Sequence, residues 1–145
     1  MEKQDSTAAE EKNKEFIIVY TEDFWNKQNI AVFEKYYATE FIGHSAGADQ
    51  NFEQTKGFCQ AYFTAFPDLH ISTDLLIAEG DKVTKVWTAT CTHKGDFMGI
   101  QATGKRIMVK GVEVFRIADG KIVENWASMD NLGMLQQLGV IPPLG

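Results

Sequence analysis

The chain has 145 residues, the length of one domain, and carries 14 Lys plus Arg against 20 Asp plus Glu, a net charge of −6. That balance argues against nucleic acid as the main partner, because such affinity rests on Lys and Arg. Apolar residues at 44% and charged residues at 23% describe a globular chain, and no apolar run approaches the roughly 18 residues of a membrane span.

The polar segment 1–5 is expected to fray. It lacks the apolar stretch of a secretory signal, and Cys59 and Cys91 form no CxxC. Buried thiols in a reducing compartment, and hence a cytoplasmic protein, are the expectation. Ser6 is a preferred helix cap. Phe16, Val19, Tyr20 and Phe24 then recur at helical spacing and give one apolar face through about Asn26. Asn29 caps a second, shorter helix with Ile30, Phe33 and Tyr37 on one side. Phe41 to His44 reads as a short extended piece, and Gly43, Gly47 and Ala48 mark a loop. A third helix starts near Asp49 or Asn51, buries Phe52, Cys59, Phe63 and Phe66, and is stopped by Pro67.

The second half reads as strands. His70 to Ile77, Lys82 to His93, Lys105 to Ile117 and Lys121 to Met129 make a consecutive antiparallel meander, with Asp119-Gly120 as its strongest hairpin signal. Asn131 to Leu138 is a terminal helix closed by Gly139. Helices followed by a meander define an α+β class, helices packed on one sheet face. The connection from His93 to Lys105 is longer than a hairpin needs and interleaves Gly95, Gly99 and Gly104 with Phe97, Met98 and Ile100. It reads equally as an apolar flap that finishes the core or a dimer contact, and as a pocket rim.

Three histidines occur, and a lone His is more often structural than catalytic. His70 follows Pro67-Asp68-Leu69 at a strand start and gets the structural reading. His44 and His93 end extended segments, where strands meet loops. His93 shares a strand face with Trp87, Ala89 and Cys91. Asp130 shares a face with Glu124, Trp126 and Ser128. From composition alone it is foremost a helix cap. Facing an apolar pocket beside Trp126, it would instead be a general base with a raised pKa. A Cys91 thiolate lacks an electropositive setting. A metal site of His44, His93 and Asp130 has no ligand spacing to support it. The glycine-rich nucleotide loops, HExxH and GxSxG are absent.

Four stretches stand out as a set: Phe66-Pro67-Asp68-Leu69-His70, Leu75 to Val83, Thr92 to Ile100 with Thr103-Gly104-Lys105, and Phe115 to Trp126 running into Asp130, Leu132-Gly133 and Leu135 to Gly139. Together they resemble the SnoaL-like polyketide cyclases, a family also labelled predicted ester cyclases. The resemblance implies an NTF2-like cone, three N-terminal helices on a curved antiparallel sheet around an enclosed pocket, and a homodimer. Exposed Val and Thr on the outer sheet face would be a natural contact. It implies ring closure of a small aromatic carbonyl substrate by intramolecular aldol condensation, with no metal and no other cofactor. The family's acid/base Asp falls on Asp130, its His before the flap on His93, and its early His on His44. Tyr20, Trp25, Phe41, Phe63, Trp87, Phe97, Met108 and Trp126 are the wall residues this implies. Val86 stands where many relatives carry Arg, Gln101 where Pro is frequent, and Cys91 where Gly is common. The alternative is the same cone as a non-catalytic small-ligand-binding or dimeric interaction module.

Overall fold

A computed structural model of the chain describes residues 6–45 and 47–143. The N-terminal segment 1–5, expected to fray, lies outside the described residues. Helix α1 spans Ala8–Tyr20. Its cap is Thr7 rather than Ser6, because Thr7 and Glu10 complete a reciprocal capping box, Oγ1 accepting from the Glu10 N–H at 3.1 Å and Oε1 from the Thr7 N–H at 2.8 Å. The helix then widens into a π-turn over Thr21–Asn26. The wider turn brings Tyr20, Thr21 and Phe24, all buried, against the core, with Trp25 half-buried beside them.

Asn29 caps a short turn that continues into α2, Phe33–Tyr36. The extended piece predicted at Phe41 is a full strand, β1, Tyr37–His44, followed by the two-residue β2, Gln50–Asn51. Helix α3 is Phe52–Ala65, capped by Asn51 with Gln54 in a second capping box. The meander follows as β3 His70–Glu79, β4 Lys82–Thr92, β5 Arg106–Ala118 and β6 Lys121–Met129. The β5–β6 hairpin turns on Asp119 and Gly120, both at positive φ, as the Asp-Gly signal requires. Helix α4, Asn131–Leu138, ends on left-handed Gly139.

The sheet runs β2-β1-β6-β5-β4-β3, is curved and does not close on itself. It is not wholly antiparallel: β1 pairs parallel with β6. The chain's first strand pairs with its last, a long-range pairing with no local signal. Alternation puts Ile107, Val109, Gly111, Glu113 and Phe115 of β5 on the inner, helix-covered face. Val83, Lys85, Trp87, Ala89 and Cys91 of β4 share it. A bulge in β6, where Ile117 pairs Ile122 and Arg116 pairs Glu124, shifts the phase and turns Asn125, Ala127 and Met129 inward.

Packed rings fill the interior. Tyr20 contacts Phe24, Tyr36, Tyr37 and Phe115, and Phe33 stacks on Tyr37 with centroids 4.3 Å apart. Gly111 is glycine because the Trp87 ring lies across it: a Cβ there would come within 2.2 Å of that ring. Among the described residues no helix is long and apolar enough to cross a membrane.

Gly111→Ala is expected to push Trp87 off its seat and to cost about 1–3 kcal/mol, the range for overpacking a well-filled core. Urea melts followed by tryptophan emission check both effects.

Candidate active site

The three residues singled out for catalysis sit in three different environments. Asp130 is exposed at the end of β6 and caps α4, its Oδ1 accepting the Gly133 N–H at 2.9 Å. Its strand neighbours Trp126 and Ser128 are exposed as well, so the face they share is the outer face of the sheet. His44 lies on that face too, stacked on Trp126 at 5.4 Å between centroids. Its Nδ1 meets Asp49 at 2.9 Å and its Nε2 meets Glu124 at 2.7 Å, and Glu124 also accepts from Arg116 at 3.0 Å. Hydrogen bonds donated to Glu124 and then to Asp49 raise the His44 pKa above its ordinary value.

His93 is wholly buried beyond the end of β4, with its ring against Phe66. The Thr103 N–H donates to its Nδ1 at 3.2 Å, which places the proton of the neutral ring on Nε2. That Nε2 has no partner among the described residues. The flap is tied down beside it. The Lys94 and Gly95 N–H groups both donate to Ala65 O, and Phe97 is buried against Tyr62 and Phe66 at the end of α3. The flap therefore finishes the core, with Met98 at its exposed tip.

Of the expected wall residues, Tyr20, Phe41, Phe63 and Phe97 are buried in the core and Trp25 and Trp87 are half-buried against it. Met108 and Trp126 instead lie on the outer face. Met108 is 52% exposed because Ile107 and Val109 on either side face inward. Trp126 is 38% exposed because the bulge turns Asn125 inward. Two clefts lie on the outer face, not inside the cone where an enclosed pocket was expected. One, of about 390 Å³, is lined by His44, Ser45, Val112, Trp126, Ala127 and Ser128. The other lies along Ile77, Asp81, Lys82, Thr84 and Val114. On the inner side of the cone, Trp25, Tyr62, Trp87, Glu113, Ala127 and Met129 are half-buried rather than sealed.

Glu113 is the residue that sequence reasoning missed. Its side chain faces the interior of the cone, half-buried, and burial pushes its pKa above the usual carboxylate value against the pull of Lys85 and Asn125. Asn125 Nδ2 donates to its Oε2 at 2.5 Å. No donor among the described residues meets Oε1, and that atom is not among the sealed, unpartnered ones. Glu113 therefore presents one held oxygen and one free oxygen. Beside it, Trp25 Nε1 donates to the Tyr20 hydroxyl at 2.8 Å, and that hydroxyl pairs with the Tyr37 hydroxyl at 2.5 Å. Burial raises both phenols and the Cys59 thiol, so all three stay neutral. Tyr62 OH makes only a weak contact to the Met129 sulfur at 3.6 Å. Cys91 is buried and its thiol is pushed up to about 11, the opposite of an activated nucleophile. Among the described residues no group of three or more His, Cys, Asp or Glu is placed to hold a metal ion.

Helices packed on one face of a curved, unclosed sheet define the class by its architecture, the NTF2-like cone. The model of the SnoaL-like polyketide cyclases matches residues 17–138, and the chain belongs to that family. Among solved structures it resembles AclR of Streptomyces galilaeus, described as a candidate hydroxylase, at 29% identity and TM-score 0.86 over 94% of this chain and 86% of that one. It also resembles a candidate polyketide cyclase of Acidithiobacillus ferrooxidans at 28% identity and TM-score 0.77, over 94% and 99% of the two chains. IdmH of Streptomyces antibioticus, described as a candidate polyketide cyclase, matches at 26% identity and TM-score 0.77 over 88% and 98%. No curated protein matches the chain.

Two outcomes follow from the outer face. Asp130→Ala removes the cap of α4 and is expected to cost about 0.5–2 kcal/mol, with Asp130→Asn close to neutral, in thermal melts. His44 has a folded-state pKa above 6.5, so the stability from its two carboxylate bonds is present in full below that value and is lost as pH rises through the folded one. Melts over a pH series are expected to show this loss, and Glu124→Gln to remove most of it.

Proposed function

We propose that the chain is a cofactor-independent acid/base enzyme whose site is the interior of the cone. Its substrate is a small, flat, carbonyl-bearing molecule, and the reaction is proton abstraction at carbon leading to aldol ring closure or isomerisation. The observation that carries this reading is Glu113, an inward-facing carboxyl with one oxygen held by Asn125 and the other without a donor among the described residues. The base role expected of Asp130 passes in this reading to Glu113, and neither His44 nor His93 touches the substrate. Both wall tryptophans that face inward, Trp25 and Trp87, offer flat surfaces to an aromatic ring.

The steps balance without an outside reagent. Glu113 Oε1, as carboxylate, takes a proton from a carbon between carbonyl groups, and the electron pair moves onto the carbonyl oxygen as an enolate. The Tyr62 hydroxyl, a phenol that burial keeps protonated, is the available donor to that oxygen. The enolate carbon attacks the second carbonyl, and the new alkoxide takes the proton back from Glu113. In the isomerisation branch Glu113 returns the proton to another carbon. A buried, raised carboxyl is a stronger base than an exposed one, which favours the first step.

We also propose a homodimer through the outer sheet face. Ile42, Leu75, Ile77, Met108, Val112 and Trp126 are exposed there, an apolar surface that a monomer rarely leaves open. Val112→Lys with Trp126→Lys is expected to give a monomer in light scattering coupled to size-exclusion chromatography.

The enzyme reading is tested by deuterium exchange at the acidic carbon of flat aromatic β-dicarbonyl compounds. The wild type is expected to accelerate exchange, with a rate that climbs with pH through the raised Glu113 value. Glu113→Gln is expected to lose on the order of 10²–10⁴-fold. Exchange at the wild-type rate in the Gln variant would leave the binding-module reading, which the outer cleft at His44 and Trp126 favours.

A further inference from the structure

We propose that Lys85 sets the proton affinity of Glu113 and is the positioning residue of the site; this rests on the reading of Glu113 as the base. The two residues are opposite each other in the β4–β5 register, so both side chains leave the sheet on its inner face. Lys85 is only 1% exposed. Its Nζ donates to Thr21 Oγ1 at 2.8 Å, and that hydroxyl donates onward to Ile17 O at 2.9 Å. The Thr21 hydroxyl is thereby fixed as an acceptor for the ammonium group. Nζ also lies 5.8 Å from the ring centroids of both Tyr20 and Phe115, whose faces favour a cation. Thr21 and Tyr20 reach this position through the start of the π-turn.

These anchors hold the charge beside the carboxyl rather than on it. No salt bridge joins Lys85 to Glu113, although they are cross-strand partners. A direct ion pair would occupy the carboxyl oxygens. A charge held across the strand pair without direct contact attracts the carboxylate through the low-dielectric interior and leaves Oε1 open for a substrate proton. The other groups facing the carboxyl are Asn125 from β6, Tyr20 from α1, Tyr37 from the start of β1 and Cys59 from α3. Asn125 has no charge, and burial keeps the other three neutral. Lys85 is thus the charged neighbour that opposes the effect of burial on Glu113, while burial draws its own pKa down to about 8. A lysine kept only for packing would have no such effect on the carboxyl.

The test is carbon-13 NMR titration of the glutamate carboxyl signals of the full chain, with Glu113 assigned by Glu113→Gln. In Lys85→Met the Glu113 pKa is expected to rise by about one unit or more, a tenfold change in proton affinity. Coupling is reciprocal, so Glu113→Gln should lower the Lys85 pKa, read from the lysine side-chain carbons, by a similar amount. If Lys85→Met does not fold, the second arm decides alone. Shifts below a few tenths of a unit in either folded variant would overturn the proposal. In the deuterium-exchange assay the acid limb of the pH–rate profile is expected to move with the carboxyl. An NMR shift with an unmoved limb would establish the coupling but overturn Glu113 as the base, and with it the positioning role.

Discussion

Strand alternation on β5 is the constraint on which the rest depends. Five inward positions, Ile107, Val109, Gly111, Glu113 and Phe115, decide what the cone contains. Four are apolar or empty, and one is a carboxylic acid. Burying that acid is costly unless it is paired or neutral. The structure meets the cost with an Asn125 amide on one oxygen and the Lys85 charge across the strand pair. The even positions, Met108, Lys110 and Val112, are consigned to the outer face by the same alternation.

The helices serve this arrangement. The capping box at Thr7 starts α1, and the π-turn at its end changes the phase so that Tyr20, Thr21, Phe24 and Trp25 all reach the interior. Thr21 then holds Lys85, and Trp25 holds the Tyr20 hydroxyl. Helix α3 closes the other side with Cys59, Tyr62 and Phe63, and the flap seals its end through Phe97. Asp130 contributes at the far edge, where it starts α4. That helix in turn grips β5, its Gln137 amide both accepting from and donating to the Met108 backbone.

The elements were legible in the sequence because their signals are local. Apolar periodicity marked α1 and α3, Asn29 marked a cap, the start of α3 was read near Asp49 or Asn51, and Asp119-Gly120 marked the hairpin. The parallel pairing of β1 with β6 was not legible, since it joins distant segments with no turn between them. Nor was the direction of each strand face. Glu124, Trp126, Ser128 and Asp130 do share a face, but only the bulge in β6 determines that it is the outer one. Around Met108 both neighbours are apolar, so alternation in the sequence does not choose a side. Glu113 had a signal: it is a lone charge within Gly111-Val112-Glu113-Val114-Phe115, as Lys85 is within Val83-Thr84-Lys85-Val86-Trp87. Single charges inside two apolar strands become informative once the strands are paired. The Val86 departure falls on the outer, half-buried side of β4, away from the cone.

Family membership fixes the architecture and leaves the chemistry to the residues. The central claim is that ligands enter the cone and meet Glu113, rather than the outer groove beside His44. A crystal structure of the chain soaked with a flat aromatic β-dicarbonyl compound tests it most directly. The account predicts density between Trp25, Tyr62 and Trp87, with the acidic carbon within reach of Glu113 Oε1. Density confined to the groove of His44, Val112 and Trp126, with the cone unchanged, would contradict it.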